Sequence, residues 1–311
     1  MAERIPHVLV IKLGAIGDFI LATGAFADIR AHCRHAHITL LTTKAMLPLA
    51  AGAPFFDAIA LDERPKLWDL RGMLRLRQKL RGFDTVYDLQ TNDRTKLYFR
   101  LAGKPEWCGH VAGCSHRQTR ADRDHIHTLD RLKDQLEVAG IIPQHPYPDL
   151  SYAREDATPL LKKYGLKEGR YTVLIPGGAP HRPAKRWPHY ADLAARLAGP
   201  KNKIVLVGGP AELALCQALA DATGAVNLAG QTSLNELIDV LARAQYVVGN
   251  DTGPSHMAAA VGAKQVVLFG SDSDPTLCAP RGPHTKILRQ ATDIGAITVS
   301  DVIAALGLKG V

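Results

Sequence analysis

Asp18 follows the apolar run VLVIKL through Gly14-Ala15-Ile16-Gly17 and opens a second apolar stretch, so one carboxylate stands where a buried strand gives way to a helix. Such a carboxylate either caps the helix or takes a proton from an incoming hydroxyl as a general base. A helix start favours its ionised form, and Gly14 and Gly17 in the same turn admit a ligand closely. In IPGGAPHRPAKRWPHYADLAARL, a strand ends in Gly177-Gly178, and Lys185 and Arg186 arrive in the loop that follows. A lysine beside a diphosphate steadies the leaving group as its bond to a sugar breaks. The plainer alternative is a surface basic pair, with Trp187 filling the core.

A third constellation, VVGNDTGPSHMAAAVGAKQVVL, packs a strand, a polar turn, a helix start and another strand into residues 247–268. Pro254 suits the first helical position, and the turn Asp251-Thr252-Gly253 is expected to present free backbone donors of Ser255 and His256 to an anion. The alternative is an ordinary capped turn of a parallel sheet. In QTSLNELIDVL, Ser233 and Glu236 have the spacing of a capping box, while Asn235 or Glu236 is also suited to ribose hydroxyls. The turn Ser271–Pro275 follows a strand of the same half and is mostly turn chemistry.

The elements that position these groups alternate from end to end. Strand-like runs VLVIKL, HITLLTT, DAIALD and DTVYDLQ are separated by helical patterns at about 19–33, 67–81 and 93–102. Gly109 to Asp124, rich in Arg, His and Gly, reads as an exposed loop, and Leu129 to Ala139 as a helix. Prolines and polar residues then concentrate in IIPQHPYPDLSYAREDATP, where a linker belongs, and the pattern restarts with YTVLIPGG, KIVLVGG, YVVGND and KQVVLFG. The expectation is an α/β chain of two doubly wound, Rossmann-like parallel-sheet domains, 1–150 and 151–311, with strand carboxyl ends facing a central cleft. Neither a G-x-G-x-x-G after a strand nor a P-loop is present, which argues against a dinucleotide dehydrogenase and a P-loop NTPase.

Composition sets the outer bounds. The 311 residues are 46% hydrophobic and 22% charged, a globular balance, and no apolar run approaches the roughly 20 residues of a membrane span. No secretory signal pattern opens the chain, and five unpaired-looking cysteines fit a reduced cytoplasm and match no standard zinc spacing. The formal charge of +8 favours an anionic partner. Much of the excess lies in WDLRGMLRLRQKLRG, whose plainer reading is a solvated helix face.

Taken in order, these motifs resemble the lipopolysaccharide heptosyltransferases of glycosyltransferase family nine. The resemblance spans nearly the whole chain, with DTGPSH-AAA preceded by PAKRWP as its most specific part. It implies a GT-B architecture, an acceptor-binding N-terminal domain, a donor-binding C-terminal domain and a last helix free to pack back on the first domain. It further implies ADP-L-glycero-D-manno-heptose as donor, inversion at the anomeric carbon, and neither metal nor cofactor. By position, Asp18 corresponds to the catalytic aspartate, Lys12 to a basic residue facing the acceptor and Lys185 to the donor-phosphate lysine. Asp251, Thr252, Gly253 and His256 correspond to the loop and helix start that hold the diphosphate and sugar. The usual acidic ribose contact aligns with Asn235, next to Glu236.

The resulting expectation is a monomeric inverting transferase, cytoplasmic and peripheral on the inner membrane, that joins heptose to the anionic lipopolysaccharide core without contacting nucleic acid. Gly177, Gly178 and Ser255 complete its donor site, while Gly17, Arg64, Lys66, Arg117 and Arg120 join Lys12 as acceptor contacts. The alternatives are a nucleotide-sugar epimerase or hydrolase with the same donor pocket, a transferase of another nucleotide-sugar, and a silent binding module.

Overall fold

The computed structural model describes residues 4–178 and 183–308, so Ala179 to Arg182 of the PGGAPHRPAKRWP run lie outside the described residues. The chain divides into two units between Pro146 and Tyr147, within the proline-rich stretch.

In the first unit, β1 (His7–Ile11), β2 (His37–Thr42), β3 (Ala58–Leu61), β4 (Thr85–Asp88), β5 (Glu106–Gly109) and β6 (His116–Arg117) form one parallel sheet in the order β3-β2-β1-β4-β5-β6. In the second, β7 (Tyr171–Ile175), β8 (Lys203–Leu206), β9 (Val226–Asn227), β10 (Tyr246–Asn250), β11 (Gln265–Phe269) and β12 (Thr285–Arg289) lie in the order β12-β11-β10-β7-β8-β9. Both sheets are doubly wound in the same sense. Each reverses direction beside its first strand, at β1/β4 and at β7/β10, and ligands gather at the carboxyl ends of such switch points.

The central strands are continuous apolar runs because helices cover both faces. Val8 to Ile11 and Tyr171 to Ile175 are buried throughout. Helices of the first unit place Leu76, Leu80, Tyr98 and Phe99 against β1, β4 and β5. The second core gathers Trp187, Tyr190, Leu193, Val248 and Leu268. The closing helix Val299–Leu306, expected to be free to pack on the N-terminal domain, contributes Val302 and Ile303 to this core of its own unit.

Three sequence expectations need correction. The helix placed at 19–33 is two, Ile16–Leu21 and Thr23–His32, meeting at Ala22, where the Thr23 hydroxyl donates to the Ile20 carbonyl at 2.8 Å. Within the expected loop Gly109 to Asp124, β6 adds an edge to the sheet, and Gln118 and Arg123 are buried. Four strands, β5, β6, β9 and β12, escaped the sequence reading. EWCG lacks a β-branched run, β6 and β9 have two residues each, and the half-exposed β12 is too mixed in burial to show a clean alternation.

Candidate functional site

In the second unit the groups singled out by sequence meet at the β7/β10 switch point. Lys185 Nζ donates to Asp251 Oδ2 at 2.8 Å, both side chains being largely buried at 13% and 9% exposure. Asp251 also accepts from Ser273 and has His256 Nε2 at 3.7 Å. Burial alone would raise its carboxyl pKa, but the hydrogen bonds and the lysine charge win and hold it well below the usual carboxylate range. The turn Ser271–Pro275 thus reaches the site through Ser273.

The helix Gly253–Ala260 begins one residue earlier than expected, which makes Pro254 its second residue. The N–H groups of Ser255 and His256 are not free, because both donate to the Thr252 carbonyl at 3.1 and 3.3 Å. With Pro254 lacking a donor, the N–H of Gly253 is the first-turn donor left for an anion. Ser255, fully buried, donates its hydroxyl to the Asn250 carbonyl at 2.6 Å and so locks the turn. His256 is 6% exposed, and its Nδ1 has no hydrogen-bond partner among the described residues. A buried imidazole nitrogen left unpaired invites a polar ligand atom.

Asn250, missed by sequence reasoning, holds this corner together. Its amide donates to the carbonyls of Pro176 and Gly177 at 3.0 and 2.9 Å, and its oxygen accepts from Tyr190 Oη at 3.0 Å and the Trp187 N–H at 3.3 Å. Trp187 is core filler, as the plainer reading had it, and thereby anchors the loop that carries Lys185. Gly249 allows the packing, since a Cβ there would lie 2.7 Å from Ser255 Oγ and 2.8 Å from Ile175 Cβ.

Beside this corner Gly177, Gly178, Gly208, Gly209, Glu212 and Thr252 line a cavity of about 190 Å³. Glu212 was not singled out by sequence. It reads as an ordinary helix-start residue, and one of its oxygens does accept from the Gly209 N–H at 2.8 Å. The residues expected at the ribose are occupied elsewhere. Asn235 donates its amide to the Ala153 carbonyl at 2.8 Å, and Glu236 closes the capping box with Ser233. The cap is the role of Glu236, because with Ser233 it satisfies donors at the helix start locally.

In the first unit the β1/β4 switch point carries Lys12 and Asp18. Asp18 lies in the first turn of the helix Ile16–Leu21, half-buried, and does not cap it: Ala15 stands at that position. Gly14 adopts φ +118°, a conformation that a side chain would strain, and Gly17 lies in the first helical turn. Lys12 is 4% exposed and donates to the Leu89 carbonyl at 3.0 Å. Burial pushes its ammonium down to about 8, against the opposing pull of Asp18. Asp88, also buried, accepts from the N–H groups of Gln90 and Thr91, and burial raises its carboxyl to about 6. Gln90 and Arg64 brace the turn after β1 through the Leu13 N–H at 2.8 Å and the Leu13 carbonyl at 3.3 Å.

The remaining expected acceptor contacts scatter. Lys66 lies over the Trp68 ring at 5.1 Å. Arg120 is paired with Asp122 and lies 3.8 Å from Asp134, so its charge is already answered within the unit. Arg117, at the end of β6, lines a cavity of about 450 Å³ with Lys96, Arg100, Lys104 and His110. No group of three or more His, Cys, Asp or Glu side chains among the described residues is placed to hold a metal ion.

The model of glycosyltransferase family 9 (heptosyltransferase) matches residues 73–298. The lipooligosaccharide heptosyltransferase 2 of Haemophilus influenzae is 28% identical over 308 residues, covering 91% of this chain and 88% of that protein. The fold superposes on the glycosyl transferase family 9 from Veillonella parvula with a TM-score of 0.86 at 22% identity, covering 97% of this chain and 96% of the other. It also superposes on the Escherichia coli ADP-heptose lps heptosyltransferase II with a TM-score of 0.77 at 22% identity, covering 97% of each.

Proposed function

The chain belongs to glycosyltransferase family 9, the heptosyltransferases, and from that premise we propose that it moves a heptose from ADP-L-glycero-D-manno-heptose to the anionic inner core of lipopolysaccharide, inverting the anomeric carbon. The observation that carries this reading is the pair of equivalent switch points. One presents the carboxylate of Asp18 beside Lys12, and the other a buried lysine, Lys185, beside a helix start.

In the proposed reaction an acceptor hydroxyl oxygen attacks the anomeric carbon from the face opposite the diphosphate. Its proton passes to Asp18, the bond from the anomeric carbon to the phosphate oxygen breaks, and the electron pair leaves with ADP. The charge that develops on ADP is met by Lys185, which keeps further N–H groups beyond the one given to Asp251, and by the Gly253 N–H. His256 Nδ1 is assigned to a polar atom of the donor. Cation and helix start together supply the charge stabilisation, so the proposed step uses no metal ion and no cofactor.

We assign the ribose hydroxyls to Glu212 in place of Asn235 or Glu236, since its carboxylate lines the glycine-walled cavity next to Thr252. The carboxylates and phosphates of the core acceptor are assigned to Lys12, Arg64, Lys66 and the basic cavity at Arg117. A cytoplasmic enzyme working at the inner membrane face follows from that acceptor.

The test is a donor screen read by mass spectrometry. Purified protein is offered ADP-heptose, other ADP-sugars and UDP-sugars against truncated core lipids with and without a first heptose. Addition of one heptose mass with release of ADP is the expected result. Consumption of ADP-heptose without acceptor would mark an epimerase or hydrolase instead.

A further inference from the structure

The helix Leu70–Leu80 buries Gly72, Leu76 and Leu80 against its own unit and turns another face outward. On that face and in the segment leading to it, Leu67, Trp68, Leu70 and Leu74 are 70%, 77%, 74% and 58% exposed. Leu70 and Leu74 stand four residues apart and share one side of the helix. Arg71 and Arg75 border that stripe on one flank and Arg77 on the other. Residues 64–81 hold seven Lys and Arg against a single acid, Asp69. That acid is spent as the helix cap, accepting from the Gly72 N–H at 2.9 Å. Arg75, 3.8 Å from Glu63, is still 58% exposed, and Lys79 reaches the Leu61 carbonyl, so Arg71, Arg75, Arg77 and Arg81 are the exposed cations of the patch.

Four large exposed apolar side chains are more than a solvated helix face requires, and a polyanion such as nucleic acid would use the arginines without them. A second copy of the same patch would bring two arginine sets together. An anionic bilayer surface satisfies both halves: Trp and Leu side chains enter the headgroup boundary while the cations, on long stems, remain among the lipid phosphates. Among the described residues no helix is long and apolar enough to cross a membrane.

We propose that Leu67, Trp68, Leu70 and Leu74, ringed by Arg71, Arg75 and Arg77, form a docking surface that seats the first unit on an anionic lipid bilayer. This rests on the reading of an enzyme at a membrane face and adds the surface that would seat it there; its failure would be distinct from failure of the transfer reading, because vesicle binding requires neither donor nor acceptor sugar.

The test uses the full chain with vesicles of phosphatidylcholine, alone or with about 30% phosphatidylglycerol, in co-sedimentation and tryptophan fluorescence. Of the three tryptophans, Trp107 and Trp187 are buried at 0% and 2% exposure, so a change in emission reports Trp68. Expected are a blue shift and co-sedimentation with the anionic vesicles, weakened severalfold by raised salt. The Trp68→Ala/Leu70→Ala variant should lose at least about tenfold in partitioning at an unchanged melting temperature, since both side chains are exposed. Arg71→Gln/Arg75→Gln/Arg77→Gln should lose the preference for anionic lipid. Absence of vesicle binding, or binding undiminished in the Trp68→Ala/Leu70→Ala variant, overturns the proposal. A blue shift that follows protein concentration without vesicles would assign the patch to a second copy, and an equal shift with a duplex oligonucleotide would assign it to nucleic acid; either overturns it.

Discussion

Lys185 and Asp251 are 66 residues apart in sequence and meet at 2.8 Å because β7 and β10 are neighbours, so that the loop after one strand closes on the turn after the other. The pair holds the lysine in place without exhausting its donors, and it makes the fold and the proposed donor site depend on the same contact. Asp251→Asn leaves the Lys185 cation largely buried without its counter-charge. Unfolding free energy should fall by about 3 kcal/mol in denaturant titrations. Lys185→Ala should weaken ADP binding at least about tenfold in calorimetry, the loss of one charge-assisted contact to phosphate. Because the Asp251 carboxyl is held below its unfolded value, the pair's contribution is complete above about pH 4 and is lost as the pH falls further.

Asp18 carries the chemical step and no part of donor binding in the proposed mechanism. Asp18→Asn should therefore abolish transfer while ADP affinity stays within about twofold. Turnover within about tenfold of wild type, a barrier change near 1.4 kcal/mol, would remove Asp18 from the role of base.

The buried Lys12 and Asp88 give the first unit two opposite pH dependences. Lys12 is charged below about pH 8, so the cation assigned to the acceptor in the proposed reaction disappears as the pH rises through that value. Values of kcat/KM should fall along a limb near pH 8, and Lys12→Met should be slower and lack the limb. The folding cost of burying that cation is present in full below pH 8 and is relieved as the pH rises toward 10.5. Asp88 has a raised carboxyl pKa, so its favourable contribution is present below about pH 4 and is lost as the pH rises through about 6. Asp88→Asn keeps an oxygen for the N–H groups of Gln90 and Thr91 and removes the ionisation. The loss of stability between pH 4 and pH 7 should then shrink by about 2 kcal/mol in denaturation series.

Local signals were legible where one segment carried all its own information. The run from Val247 to Leu268 announces strand, turn, helix and strand, and β10, the helix Gly253–Ala260 and β11 stand there. The Ser233 and Glu236 spacing gave the capping box, and that cap accounts for Glu236 without a ligand. What the sequence hides is pairing across strand order. Nothing local says that Lys185 meets Asp251, or that the N–H groups of Ser255 and His256 fold back on Thr252. Glu212 looks like one more acid at a helix start until the glycines that follow β7 and β8 are seen to share a cavity with it. Arg120, expected as an acceptor contact, is paired with Asp122 two residues on and has Asp134, on another element, at 3.8 Å, a partner that nothing local announces.

Asn250 supplies the sharpest test of how the proposed donor corner is built. Its amide donates to two carbonyls, those of Pro176 and Gly177, while its oxygen accepts from Tyr190 and Trp187. Asn250→Asp keeps the shape and the accepting oxygen but turns the donor into a second carboxylate oxygen facing two carbonyls. At full burial that repulsion should cost more than the cavity and broken bonds of Asn250→Ala, which would amount to about 3 kcal/mol. The order Asp below Ala below wild type is expected in thermal unfolding at pH 7. Lowering the pH protonates the new acid and restores a donor, so the Asp variant should gain stability relative to the Ala variant as the pH falls. In both variants the KM for the nucleotide-sugar should rise more than kcat falls, because Gly177 and the Lys185 loop lose their anchor while Asp18 is untouched. An Asp variant as stable as wild type at pH 7 would show that the amide does not hold the two carbonyls.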